Sequence, residues 1–190
     1  MIITISGVPG SGKTTVAKIL AERLGMKFYS MGDLRGKMAT ERGLTIDELN
    51  KLGETEAFTD NDVDTYQTKL GQTEDNFVIE GRLSWHFIPH SFKIFLECDE
   101  KEAARRIFLS KGHSSADRKD EPLYATIEEA AEVIRQRITS DNLRYNKYYG
   151  VRYQDKKNYD LIIDTTNLKG AKATAETILE KMEELAVLKK

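Results

Sequence analysis

The chain has 190 residues, 39% hydrophobic and 32% charged, with 29 basic and 31 acidic side chains and a net charge of −2. That length suits a single α/β domain with a real core, and the near-neutral balance counts against nucleic acid as a partner. Cys98 is the sole cysteine, which excludes an intrachain disulfide and a cysteine zinc cage; no apolar run is long enough to span a bilayer, and the expected location is the cytoplasm.

Five short apolar runs are expected to be buried parallel strands: 2–6, 27–30, 77–80, 92–97 and 160–164. The first runs straight into Gly7 to Thr14, which read G-V-P-G-S-G-K-T. This is the spacing of a phosphate-binding loop between a strand and a helix. Gly7, Gly10 and Gly12 let the backbone curl until its N–H groups face one phosphate. The helix that starts near Lys13 adds the positive end of its dipole. Lys13 reaches β- and γ-phosphates in such loops, and Thr14 holds Mg²⁺. A nucleoside triphosphate is therefore the expected ligand, with Pro9, Ser11 and Thr15 in the same cradle.

A helix over 14–24 is expected to stop at Gly25. Others are expected over 33–42, from the capping box Thr45-Ile-Asp-Glu48 onward, over 55–70 with Gly71 as the stop, and over 99–110. Thr126 is expected to cap a long helix that runs to Tyr149 and stops at Gly150, and 170–188 is amphipathic. Strands alternating with helices predict a three-layer α/β fold around a five-stranded parallel sheet. Two segments break the rhythm. Residues 31–76 exceed a simple crossover and should hold two or three helices. Residues 111–125 are polar and form a candidate lid.

Ligands of such sheets bind beyond the carboxyl ends of the strands. Strand two leaves through Ser30-Met-Gly-Asp-Leu-Arg35, and strand three through Glu80-Gly-Arg82. Arginine forks match phosphate geometry, so Arg35 and Arg82 are candidates for a second phosphate. Glu80 is placed to act on Mg²⁺ through water; the rival reading is that it orders its own loop. Arg137, Asp141 and Arg144 share one helical face by their spacing of four and three. Arg118 lies inside the candidate lid and Arg106 on the helix leading into it. No Ser/His/Asp set is present, as expected where the acceptor is already a phosphate anion and the protein only positions groups and neutralises charge. His86, His90 and His113 show no metal spacing. Cys98 reads as a core residue; Trp85 and Phe87 read either as core or as rings that stack on a base; and one acid of the cluster 60–64 is a candidate to accept a base amino group, the rival being a solvated helix start.

Taken together, I-T-I-S-G-V-P-G-S-G-K-T-T, S-M-G-D-L-R, I-E-G-R-L, R-Q-R-I-T-S-D-N-L-R-Y-N-K-Y-Y-G-V and Y-D-L-I-I-D-T-T resemble the nucleoside monophosphate kinases, in particular the short cytidylate kinases of archaea and some bacteria. The resemblance covers nearly the whole chain. It implies a single P-loop kinase domain over 1–190, with 31–76 as the monophosphate-binding insert and 111–125 as the lid. It implies transfer of a phosphoryl group from Mg²⁺-ATP to CMP or dCMP by a monomer. Gly10 to Thr15 would then hold ATP. Ser30, Asp33, Arg35, Arg82, Asp141 and Arg144 would serve the acceptor, and Lys13, Arg118 and Arg137 the transferred group. One departure is visible. Gly32-Asp-Leu-Arg35 is a residue shorter than the family's G-D-x-x-R, which turns Arg35 about 100° around a helix and makes Lys37 an alternative. The rival functions are a kinase for AMP, UMP or a small metabolite, and an ATPase or switch with no small acceptor.

Overall fold

The computed structural model describes residues 1–56, 58–110 and 124–188. Their elements follow in chain order: β1 (Ile2–Gly7), α1 (Lys13–Leu24), β2 (Lys27–Ser30), α2 (Met31–Glu41), α3 (Ile46–Gly53), α4 (Phe58–Thr73), β3 (Phe77–Glu80), α5 (Ser84–Phe87), β4 (Phe92–Glu97), α6 (Glu100–Ser110), α7 (Ile127–Tyr149), β5 (Leu161–Asp164) and α8 (Gly170–Glu184). The strands form one parallel sheet in the order β2-β3-β1-β4-β5. β1 lies at its centre, with Ile5 opposite Glu80 on one side and Ile94 on the other. The loop that follows β1 therefore sits where the strand order reverses, the place where open α/β sheets take ligands.

Alternation along the strands builds two cores. Ile3, Ile5, Val78, Ile94 and Leu96 face α1 and α8, meeting Val16, Leu20, Ile178 and Met182. Ile2, Phe77 and Ile79 face the opposite way, against Met38, Leu49, Val63 and Leu70 of α2–α4. Phe95 on that second side meets Tyr145 of α7 and Tyr153. Each buried Ile or Leu contributes about 1.5–3 kcal/mol. The polar Thr4 of β1 is tolerated because its hydroxyl pairs with that of Ser91 at 3.0 Å, both buried.

All five expected strands form, within a residue of their expected ends. The long crossover holds three helices. Helix boundaries differ more. α2 starts at Met31 rather than 33, because Ser30 is at once the last strand residue and the cap, its hydroxyl accepting from Asp33 N at 3.0 Å. α4 starts at Phe58 and runs through Gly71 to Thr73. Gly71 is not a stop: a Cβ there would stand 2.9 Å from Cγ1 of Ile88, so this glycine lets α4 approach the turn after α5. α8 ends at Glu184 rather than 188. Thr45 and Glu48 do form the capping box, and Gly150 closes α7 at φ 67°. Among the described residues no helix is long and apolar enough to cross a membrane.

Candidate active site

The loop 7–14 is shaped by what its glycines touch. A Cβ on Gly7 would lie 2.7 Å from the Leu96 carbonyl oxygen, and one on Gly10, at φ +79°, 2.6 Å from that of Ala103. The loop is thus pressed between β4 and α6. Ser11 donates to the Val8 carbonyl at 2.8 Å and closes a turn around buried Pro9. Gly12, at φ 82°, caps α1 with no side chain, and Lys13 and Thr14 follow as the first helical residues. The first N–H groups of α1 have no helical acceptor. Thr15 is exposed in the same turn.

Glu80 ends β3 and is 2% exposed. One of its oxygens, Oε1, accepts from Thr14 Oγ1 at 3.3 Å and from Ser30 Oγ at 2.5 Å. The carboxylate therefore joins the phosphate loop to the cap of α2. Two oxygen donors of this kind, one hydroxyl and one carboxylate, suit a hard divalent cation such as Mg²⁺.

Arg82 follows two residues beyond the same strand end. Its Nε donates to Asp141 Oδ2 at 2.8 Å and its Nη1 to the Gly7 carbonyl at 2.9 Å, while its Cζ lies 5.3 Å from the ring centre of Tyr153. Its own carbonyl accepts from Ser6 Oγ and Trp85 Nε1, both at 3.1 Å. Burial works against the guanidinium charge, yet Tyr153 and Asp141 outweigh it and raise the Arg82 pKa. On α7, Arg144 is 1% exposed and donates to the other oxygen of Asp141 at 2.7 Å. Burial pushes the Asp141 carboxyl up, but Arg82 and Arg144 more than offset it and hold its pKa below the ordinary value.

Three further arginines have other partners. Arg35 bonds Asn50 Oδ1 and the Thr59 carbonyl, each at 2.8 Å, so it ties α2 to α3 and α4. Its Nη2 and the Cδ of Arg144 both crowd Gly53, at 3.5 and 2.9 Å from where a Cβ would stand. Arg35 thereby reaches the Arg144 group through the glycine that ends α3. Lys37, the alternative, is 75% exposed beside Glu41. Arg137 forms a two-pronged ion pair with Asp47 of α3, at 2.8 and 3.2 Å. Arg106 braces the turn after β5 through the Thr165 and Thr166 carbonyls. Asp33 stands in the first turn of α2. Arg118 and 111–123 of the expected lid lie outside the described residues.

The structure thus gathers two bonded sets beyond the end of β3: Thr14, Glu80 and Ser30 in one, and Gly7, Arg82, Asp141 and Arg144 in the other. Asp47 was missed by the sequence reading. It belongs to the capping-box segment, and its partner lies 90 residues away, beyond any local spacing. Trp85 packs in the core. Burial pushes the Cys98 thiol up, away from reactivity. A cavity of about 310 Å³ opens beside Val8, lined by Glu97, Cys98, Asp99, Asp164 and Thr166.

The sequence profile described as "Cytidylate kinase-like family" matches residues 2–167. A protein of Methanocella arvoryzae named cytidylate kinase is 36% identical, over 97% of this chain and 98% of its own. A protein of Lacinutrix mariniflava named S-adenosylmethionine-dependent nucleotide dehydratase is 35% identical over 94% of this chain, but only 35% of its own length is covered. The likeness there is to one part of a larger protein. Among solved structures, the shikimate kinase of Bacteroides thetaiotaomicron superposes with a TM-score of 0.61 at 18% identity, covering 99% of both chains. That likeness is one of fold.

Proposed function

The chain belongs to the cytidylate kinase-like family, and from that membership we propose that it transfers the γ-phosphoryl group of ATP to a nucleoside monophosphate, CMP or dCMP. The observation that carries the reading is Arg82. One guanidinium touches both the first residue of the phosphate loop and, through Asp141, the buried arginine of α7. Donor and acceptor phosphates meeting there would face fixed positive charge, which is most of what phosphoryl transfer asks of a protein.

In this reading the loop N–H groups and Lys13 bind the triphosphate, with Pro9, Ser11 and Thr15 completing the cradle. Mg²⁺, when bound, screens the charge of the phosphates; Thr14 would hold it directly and Glu80 through water. Ser30, Asp33 and Arg35 would shape the acceptor side within 31–76, with Arg82, Asp141 and Arg144 beneath the acceptor phosphate. Arg137 and Arg118 would neutralise the transferred group, and 111–125 would close over it and exclude water. The acceptor phosphate is already an anion, so no general base is required.

The test is ADP production by purified protein with Mg²⁺-ATP and each of CMP, dCMP, UMP, AMP and GMP. ADP formed only with CMP or dCMP is the expected result. Formation with AMP alone, or ADP release that no monophosphate changes, overturns it. Lys13→Ala should lower turnover about 100- to 1000-fold.

A further inference from the structure

A second polar chain crosses from the insert to α7, one that phosphate chemistry leaves unused. Ser84 Oγ donates to Gln67 Oε1 at 3.0 Å, and Gln67 Nε2 donates to Asp64 Oδ1 at 3.2 Å. Tyr149 Oη, from the last turn of α7, donates to Asp64 Oδ2. Ser84 and Gln67 are 0% and 3% exposed. The direction is fixed throughout: because Ser84 takes the amide oxygen, the amide nitrogen of Gln67 faces Asp64. The chain ends on the Asp64 carboxylate, which accepts from both Gln67 and Tyr149 and only accepts when ionised.

Its position relative to the arginines is defined. Ser84 lies two residues beyond Arg82. Tyr149 lies eight residues beyond Asp141 on the same helix, about 12 Å along its axis. That separation is comparable with the length of a nucleoside monophosphate from phosphate to base edge. Aromatic rings surround the tyrosine that bonds the carboxylate: those of Phe87 and His86 lie 5.4 and 5.8 Å from that of Tyr149. Aromatic faces next to an oriented acceptor are what a planar heterocycle with an amino group requires.

We propose that Asp64 is the residue that reads the acceptor base: its carboxylate, aimed by Tyr149 and Gln67, accepts the exocyclic amino group of cytosine and disfavours uracil, which carries a carbonyl oxygen at that position. Two acceptors placed face to face leave both unsatisfied, the kind of mismatch on which a polar site discriminates strongly. The inference rests on the monophosphate-kinase reading above and adds the group that sets its base preference. The bland rival is that the same bonds only brace α4 against α5 and α7.

The experiment measures kcat/KM with CMP and with UMP for the wild type, Asp64→Asn, Asp64→Glu and Tyr149→Phe. The wild type should prefer CMP. Asp64→Asn, which can donate to the uracil carbonyl, should lower kcat/KM for CMP about 10- to 100-fold and raise UMP relative to it. Asp64→Glu, which keeps the carboxylate, should retain the cytosine preference at a lower rate. Tyr149→Phe, which keeps the carboxylate but removes one of the two groups that aim it, should narrow that preference without reversing it. A brace predicts instead that Asp64→Asn and Tyr149→Phe lower both substrates alike, and that result overturns the inference, as does a wild type indifferent between CMP and UMP. A wild type active on CMP with an unmoved ratio in Asp64→Asn sinks only the role of Asp64. A wild type that phosphorylates neither pyrimidine sinks the kinase reading and this inference together.

Discussion

The Nε of Arg82 and the Oδ2 of Asp141 stand 2.8 Å apart, joining the end of β3 to the middle of α7 across 59 residues of sequence. Asp141 is 4% exposed and shares its second oxygen with Arg144. Removing one member of a buried ionic group strands the others, at about 3–5 kcal/mol. Asp141→Ala should therefore lose stability of that size in a urea titration, and lose ordered packing at Arg144 before any question of catalysis arises.

The same carboxylate gives a pH dependence. Its folded pKa is depressed below the ordinary 3.8, burial notwithstanding, by Arg82 and Arg144. The stability it contributes is complete above that ordinary value and is lost as pH falls through the lower folded one. Wild-type stability, followed by denaturant midpoint, should fall as pH drops below about 4. In Asp141→Asn that part of the acid sensitivity should be missing.

Gly10 and Gly12 share a left-handed backbone but not a neighbourhood. A Cβ on Gly12 meets nothing within 4 Å, whereas one on Gly10 collides with the Ala103 backbone. Gly12→Ala should lower the Tm of the ligand-free protein by about 2–8 °C, the left-handed penalty alone. Gly10→Ala should lower it further, since α6 must move as well. Equal shifts in a thermal melt would contradict that packing.

At Gly71 two effects oppose. Alanine favours a helix interior by about 0.8–1 kcal/mol, while overpacking against Ile88 costs about 1–3 kcal/mol. Gly71→Ala should be destabilising on balance, and Ile88→Val should cost less in that background than in the wild type. Additive effects in the double-mutant cycle would show that the two sites do not touch.

Asp47 and Arg137 are partly exposed, 33% and 14%, so their pairing should be modest, about 1 kcal/mol by double-mutant cycle. Its effect on turnover should be larger than on stability if Arg137 serves the transferred phosphoryl group. Asp47→Asn leaves the guanidinium charged but no longer aimed, and a fall in kcat with little change in denaturant midpoint is the expected outcome.

Strands and the phosphate loop were legible in the sequence because their signals are local: apolar runs of four to six residues, and glycines at fixed intervals. Helix ends were legible where the cap is a side chain in the same turn, as at Thr45 and Thr126. Gly71 was misread because a glycine that ends a helix and one that admits a neighbour look alike until Ile88 is in place. Among the site residues, spacing put Arg137, Asp141 and Arg144 on one face but could not say that Asp141 would bind Arg82 while Arg137 turned to Asp47. Those choices are made by elements up to 90 residues apart. Arg35 shows the same limit: its position beyond β2 could not reveal its bonds to Asn50 and the Thr59 carbonyl.

The central place of β1 has a consequence for how the molecule comes into being. Both neighbours of β1, namely β3 and β4, lie later in the chain, reaching to Leu96. At about 5–20 residues per second, roughly 5–18 s separate the making of Ile2–Gly7 from that of its second partner. Until then an apolar strand and a glycine-rich loop lack the β4 side of their sheet. A nascent chain arrested before residue 92 should be unable to bind a nucleotide, however complete its phosphate loop, and should fall to chaperones or proteases rather than fold.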